Sequence, residues 1–140
     1  MNRLFKIIPG LPVLLGMFLF WQAEPARAGN IEMEIFYLPH RPAMVVVDKV
    51  AQVAAEFKDV DLKKYSFDDR AAAKLVKKYK MTDHMPVAIF INGRDSFTVN
   101  GRPLRLINFP KGDAFVPMFA GEWDYPDLRA ILAELAGERQ

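Results

Sequence analysis

The hydrophobic period of this chain changes once, abruptly, near residue 40, and that change dictates a strand followed by a helix. Ile31, Met33, Ile35 and Tyr37 recur at every second position, with Glu32, Glu34 and Phe36 between them. This is the two-residue period of a strand with one face buried. From Pro42 the period lengthens: Val47, Val50, Ala51, Ala54 and Phe57 mark one stripe of a helix, and Asp48, Lys49, Gln52 and Glu56 lie opposite. The run Val45-Val46-Val47 disfavours a helix by propensity, but the amphipathic period that follows outweighs it. Between strand and helix lies "YLPHRPA", residues 37–43. A strand-to-helix turn is where many α/β proteins keep their chemistry. This one offers one histidine and one arginine, and no cysteine, serine or carboxylate.

Further along, Val60-Asp61-Leu62 reads as a short strand, and Asp68 or Asp69 as the cap of a second helix reaching about Tyr79. Its apolar face is Ala72, Leu75, Val76 and Tyr79; Arg70, Lys74, Lys77 and Lys78 form a basic row that reads as a solvated face. Residues 87–91 are apolar without alternation, as in a strand buried on both faces. Asn92-Gly93 and Asn100-Gly101 are type I′ hairpin signals. They predict three consecutive antiparallel strands near 86–91, 94–99 and 103–108. Residues 110–125 read as a loop with an apolar centre. Asp124 and Pro126 then open a last helix with Leu128, Ile131, Leu132 and Leu135 inward and Gly137 as its stop. Strands alternating with helices, closed by a hairpin and a helix, predict an α/β fold with helices on both faces of a mixed sheet.

Residues 1–28 are expected to be a signal peptide and 29–140 a single domain. Arg3 and Lys6 precede the apolar run 7–21, and Ala26-x-Ala28 gives a small-residue cleavage pattern. The run is short for a bilayer span, which needs roughly 20 apolar residues; an uncleaved anchor is the alternative. The expected location is the periplasm or cell envelope, with membrane contact only through the signal segment before cleavage. Taking Arg3, Lys6, Arg27 and Glu24 from the 19 basic and 17 acidic residues leaves 16 of each. A domain without net charge gives no reason to expect nucleic acid as a partner. The chain has no cysteine, which excludes thiol catalysis, disulfide exchange and thiolate metal sites. It also lacks a serine nucleophile elbow, a phosphate-binding glycine loop and HExxH.

With these elements in order, the chain resembles the thioredoxin-like superfamily. Placing the helix "MVVVDKVAQVAAEF" on the family's active-site helix sets His40-Arg41-Pro42-Ala43 on its CGPC motif, with Pro42 on the motif proline. "MPVAIFINGRD", residues 85–95, is similar to the family's "IPTLLLFKNGE", which sets Pro86 on the family's cis-proline. The resemblance covers roughly residues 31–97 and the last helix. It implies a β-α-β-α-β-β-α three-layer sandwich with one extra hairpin strand.

The resemblance implies a redox turn kept as scaffold, because His40 and Ala43 stand where the family has its two cysteines. No enzymatic activity and no cofactor are expected. The expected function is a protein- or peptide-binding or assembly module with an envelope partner. Its groove would be lined by His40, Arg41, Pro42, Met85 and Pro86, with Tyr37, Phe115, Phe119 and Trp123 as an apolar rim. The alternative is a copper-handling accessory protein using His40, His84 and Met85, with Met44 and Met81 nearby.

Overall fold

A computed structural model describes residues 30–82 and 85–137. The elements run β1 (Ile31–Tyr37), α1 (Arg41–Ala55), β2 (Val60–Ser66), α2 (Arg70–Lys78), β3 (Val87–Ile91), β4 (Ser96–Val99), β5 (Arg102–Arg105), a 3₁₀ turn (Pro117–Phe119) and α3 (Tyr125–Gly137). The fold is mixed α/β. β1 is the centre of a three-stranded sheet in the order β2-β1-β3, parallel to β2 and antiparallel to β3, while β4 and β5 form a separate antiparallel pair. Among the described residues no helix is long and apolar enough to cross a membrane. The N-terminal segment expected to be a signal lies outside the described residues.

The two faces of β1 are buried by different means. Ile31, Met33 and Ile35, with Ile89 and Ile91 of β3, join Val46, Val47 and Val50 of α1 and Leu128, Ile131 and Leu132 of α3 in one core. The opposite face is also covered, although its sequence alternation reads as solvent-facing. Phe36 is fully buried there and packs with Ala72, Ala88 and Phe90. Its ring stacks on Tyr65 at 5.2 Å and meets Tyr79 and Phe90 edge-on at 6.0 and 5.9 Å. Each such aromatic pair contributes about 0.5–1.5 kcal/mol beyond its buried area. Glu34 is buried on this face and accepts a hydrogen bond from the Tyr79 hydroxyl. Burial first, and that bond second, hold the Tyr79 hydroxyl well above the ordinary tyrosine range. The neighbouring helix explains the difference: α2 lays its apolar stripe over what would otherwise be a wet face.

The hairpin signals hold locally but not as a three-strand meander. Asn92 and Gly93 (φ 49° and 77°) and Asn100 and Gly101 (φ 51° and 75°) all adopt the left-handed region that type I′ turns need. After Asn92-Gly93, however, the chain leaves β3 beyond a single bridge, Ile91 to Arg94. The edge of β3 is taken instead by residues after β5. Ile89 N–H donates to the Leu106 carbonyl (2.8 Å), and Asn108 N–H to the Val87 carbonyl (2.7 Å). The strand expected at 60–62 continues to Ser66, because β1 gives it a parallel partner along its whole length.

Helix ends show which capping signals hold. Asp69 is the N-cap of α2 but makes no side-chain cap bond; its carboxylate accepts Ser66 N–H (3.3 Å) instead. At the other end, Met81 N–H reaches the Val76 carbonyl (3.0 Å) and Lys80 N–H the Lys77 carbonyl (3.2 Å). This Schellman motif places Lys80 at φ 51°, a conformation that costs a side-chain-bearing residue about 1–2 kcal/mol. Lys80→Gly is therefore expected to stabilise the fold by roughly 0.5–1 kcal/mol after the extra unfolded-state freedom of glycine is counted. A urea midpoint that stays put or falls would contradict this.

Candidate binding site

The turn after β1 is built from backbone bonds. Leu38 N–H donates to the Pro86 carbonyl (3.0 Å), which brings the start of β3 beside the turn, and Phe67 N–H donates to the Tyr37 carbonyl (3.0 Å). His40 N–H closes back on the Leu38 carbonyl (2.8 Å), and the His40 carbonyl accepts the first helical bond from Met44 N–H (3.1 Å). His40 is the extended N-cap of α1 without a side-chain cap bond, and Pro42 sits in the first turn, where its missing N–H costs nothing.

The expected groove residues divide by burial. His40 and Arg41 are exposed, Pro42 is half-buried and Ala43 is fully buried. Pro86 is buried, and its carbonyl is the acceptor of the Leu38 N–H bond. Met85 is half-buried and packs with Met81 against the aromatic cluster on the α2 face. The Met85–Pro86 bond is trans, since no peptide bond among the described residues is cis. This corrects the cis-proline expectation. X–Pro bonds favour trans by about 0.5–1 kcal/mol, and with Met85 seated in the aromatic cluster a trans bond already delivers the Pro86 carbonyl to Leu38. His84 lies outside the described residues. Among the described residues no three histidine or carboxylate side chains converge as metal ligands.

The rim expectation is corrected at Trp123, which is fully buried and donates from Nε1 to the Ile107 carbonyl (3.1 Å). Tyr37 and Phe119 pack against the main core. Phe115 is 84% exposed, and Met118 (74%), Val45 (49%), Val116 (45%) and Met44 (39%) are also open. These open apolar side chains fall in two short segments, residues 44–45 and 115–118.

A cleft of about 580 Å³ joins the two segments, with Arg41, Pro42, Val45 and Lys49 on the α1 side and Asp113 and Phe115 on the loop side. The loop is pinned at its base. The Asp113 carboxylate accepts from Lys49 Nζ (3.3 Å) and from the Tyr125 hydroxyl (3.0 Å). Burial, then this bond, raise the Tyr125 hydroxyl well above its ordinary range. Lys111 N–H donates to the Trp123 carbonyl (2.8 Å), and Phe109 N–H to the Phe119 carbonyl (2.9 Å). Gly121 closes the far end, where a Cβ would clash with the Ile107 and Phe109 carbonyl oxygens. The crown, residues 115–118, is thereby held outward on a base where Ala114 packs on the core.

A second cleft, about 650 Å³, lies between the β4–β5 pair and α3. Leu104 and Ile131 on its floor are buried and its rim carries charges of both signs, Arg94 and Arg105 with Glu122 and Glu134. Phe97 and Leu135 are half-buried in it, and none of its lining is among the large exposed apolar side chains. No family model, curated protein or solved structure matches this chain.

Sequence reasoning placed Phe115 on the rim but missed Val45, Lys49, Val116 and Met118. The signal for Val45 was present: three successive valines span about 200° of a helix, so they cannot all face one core.

Proposed function

We propose that this chain is an exported, non-catalytic binding or assembly module of thioredoxin-like design, whose partner docks in the cleft beside the turn that stands where the family has its thiols. The observation that carries this reading is the open apolar surface of Val45 and Phe115, which line a cleft beside the cysteine-free turn, with Met118 exposed three residues on. The thioredoxin-like part rests on the order β2-β1-β3 with its parallel and antiparallel pairs, on α1 beginning at the turn after β1, and on the contact of that turn with Pro86. With no thiol in the chain, neither nucleophilic attack on a disulfide nor its resolution can occur. What the site can do is bury apolar side chains: each large one removed from water contributes about 1.5–3 kcal/mol.

The test is selection of a phage-displayed peptide library on the immobilised full chain, beside Phe115→Ser and Val45→Ser. The expected result is a set of peptides retained by the parent chain and lost from both variants. Absence of any such peptide would end the peptide-binding reading.

A further inference from the structure

The charges around the cleft narrow what it accepts, on the footing that it binds peptide at all. Lys49 is engaged by Asp113 at 3.3 Å, so those two offset each other. Lys111, at the base of the loop, lies 3.8 Å from Asp127. Arg41 on the α1 wall is exposed and has no ion-pair partner among the described residues; Asp48, two helical turns on, does not reach it. The cleft thus combines apolar walls, from Pro42, Val45 and Phe115, with one uncompensated guanidinium at its edge. A guanidinium is a five-donor planar fork that fits a carboxylate through two parallel bonds.

We infer that the cleft between α1 and residues 112–115 takes an apolar peptide segment carrying a carboxylate, which pairs with Arg41 while the neighbouring apolar side chains pack on Val45 and Phe115. Arg41 sets the charge preference, and the apolar walls supply most of the affinity. This division follows from an exposed ion pair adding specificity and little strength, while buried apolar anchors dominate.

The same selection, extended to Arg41→Gln, separates this inference from the reading it rests on. Peptides from the parent chain are expected to carry Asp, Glu or a free C-terminus within a few residues of Phe, Leu, Ile or Met. Synthetic copies with that acid amidated should bind roughly two- to fivefold more weakly by fluorescence anisotropy. Arg41→Gln should select the same apolar residues without the acid. Phe115-dependent peptides with no acidic preference, or a preference that survives Arg41→Gln, would overturn the inference and leave the binding module standing. No Phe115-dependent peptide at all would overturn both. So would Phe115-dependent sedimentation of the full chain with phosphatidylglycerol vesicles in place of peptide capture, which would assign the surface to lipid.

Discussion

Trp123→Ala is expected to lower the unfolding free energy by about 4 kcal/mol, the middle of the range for a buried aromatic removed from a core. The indole is fully buried, packs edge-on with Tyr125 at 5.8 Å and satisfies the Ile107 carbonyl. Truncation loses that packing, opens a cavity that the fixed neighbours cannot close, and leaves a carbonyl without its donor. Trp123→Phe restores most of the volume but not the N–H, so about half the loss is expected to remain. A urea titration of the three chains checks both values; equal midpoints for Trp123→Ala and the parent would contradict the account. The functional consequence is separate. The Trp123 carbonyl anchors Lys111 at the base of the exposed loop, so a collapsed indole site should also loosen residues 112–118, seen as faster amide exchange of Asp113 and Ala114.

Asp127→Ala is the second large effect, about 3 kcal/mol at neutral pH. Asp127 is buried at the third position of α3 and makes a reciprocal capping box: Asp124 N–H donates to its Oδ2 (3.0 Å), and its own N–H donates to Asp124 Oδ1 (2.8 Å). Arg102 donates to both oxygens of the Asp127 carboxylate, at 2.7 and 2.9 Å. Loss of a cap costs about 1 kcal/mol, and loss of charge-assisted bonds about 1.5–3. Arg102 is 43% exposed and can rehydrate, which keeps the total near the middle of that range. Burial by itself raises this carboxyl, but the Arg102 bonds and the Asp124 N–H more than offset it, so the group sits below its ordinary 3.8. A depressed carboxyl stabilises fully above the unfolded-state value and less as pH falls through the folded one. The gap between parent and Asp127→Ala should therefore be widest above pH ~5 and shrink below pH ~4. A gap independent of pH would mean that the ion pair contributes nothing. Asp127→Asn keeps an acceptor for the Asp124 N–H and is expected to cost less than the alanine.

What could be read from the sequence was what depends on neighbours within a few residues. The change of period at residues 37–42, the two Asn-Gly turns and the inner stripe of α3 are local properties, and each appears where the residues put it. The capping partner Asp127 was also local, three residues after Asp124, as a capping box requires. Burial of Glu34 and Phe36 was not legible, because it is made by Tyr65, Phe67 and Tyr79 from β2, the turn that follows it and α2. The split of the hairpin strands from the main sheet depends on which segment wins the edge of β3, a competition that pattern alone does not rank. The candidate site was half legible. The turn at His40 and Arg41 announced itself as a strand-to-helix junction. Trp123 and Phe115 were indistinguishable as apolar residues in one loop, yet one is core and the other open. What separates them is the Lys49–Asp113 contact across 64 residues and the indole bond to Ile107, neither of which a periodicity encodes.

The central claim is that the apolar crown serves a partner and not the fold. It is tested most directly by the urea midpoint of the parent chain and of Phe115→Ser/Met118→Ser, each with and without a selected peptide at about 100 times its Kd. Without peptide the two midpoints should agree to within about 0.5 kcal/mol, as for surface substitutions. With peptide the parent should gain about 2.7 kcal/mol, the linkage value for that excess, and the variant nothing. A variant already destabilised by 2 kcal/mol or more without peptide, or a parent midpoint unmoved by peptide, would contradict it.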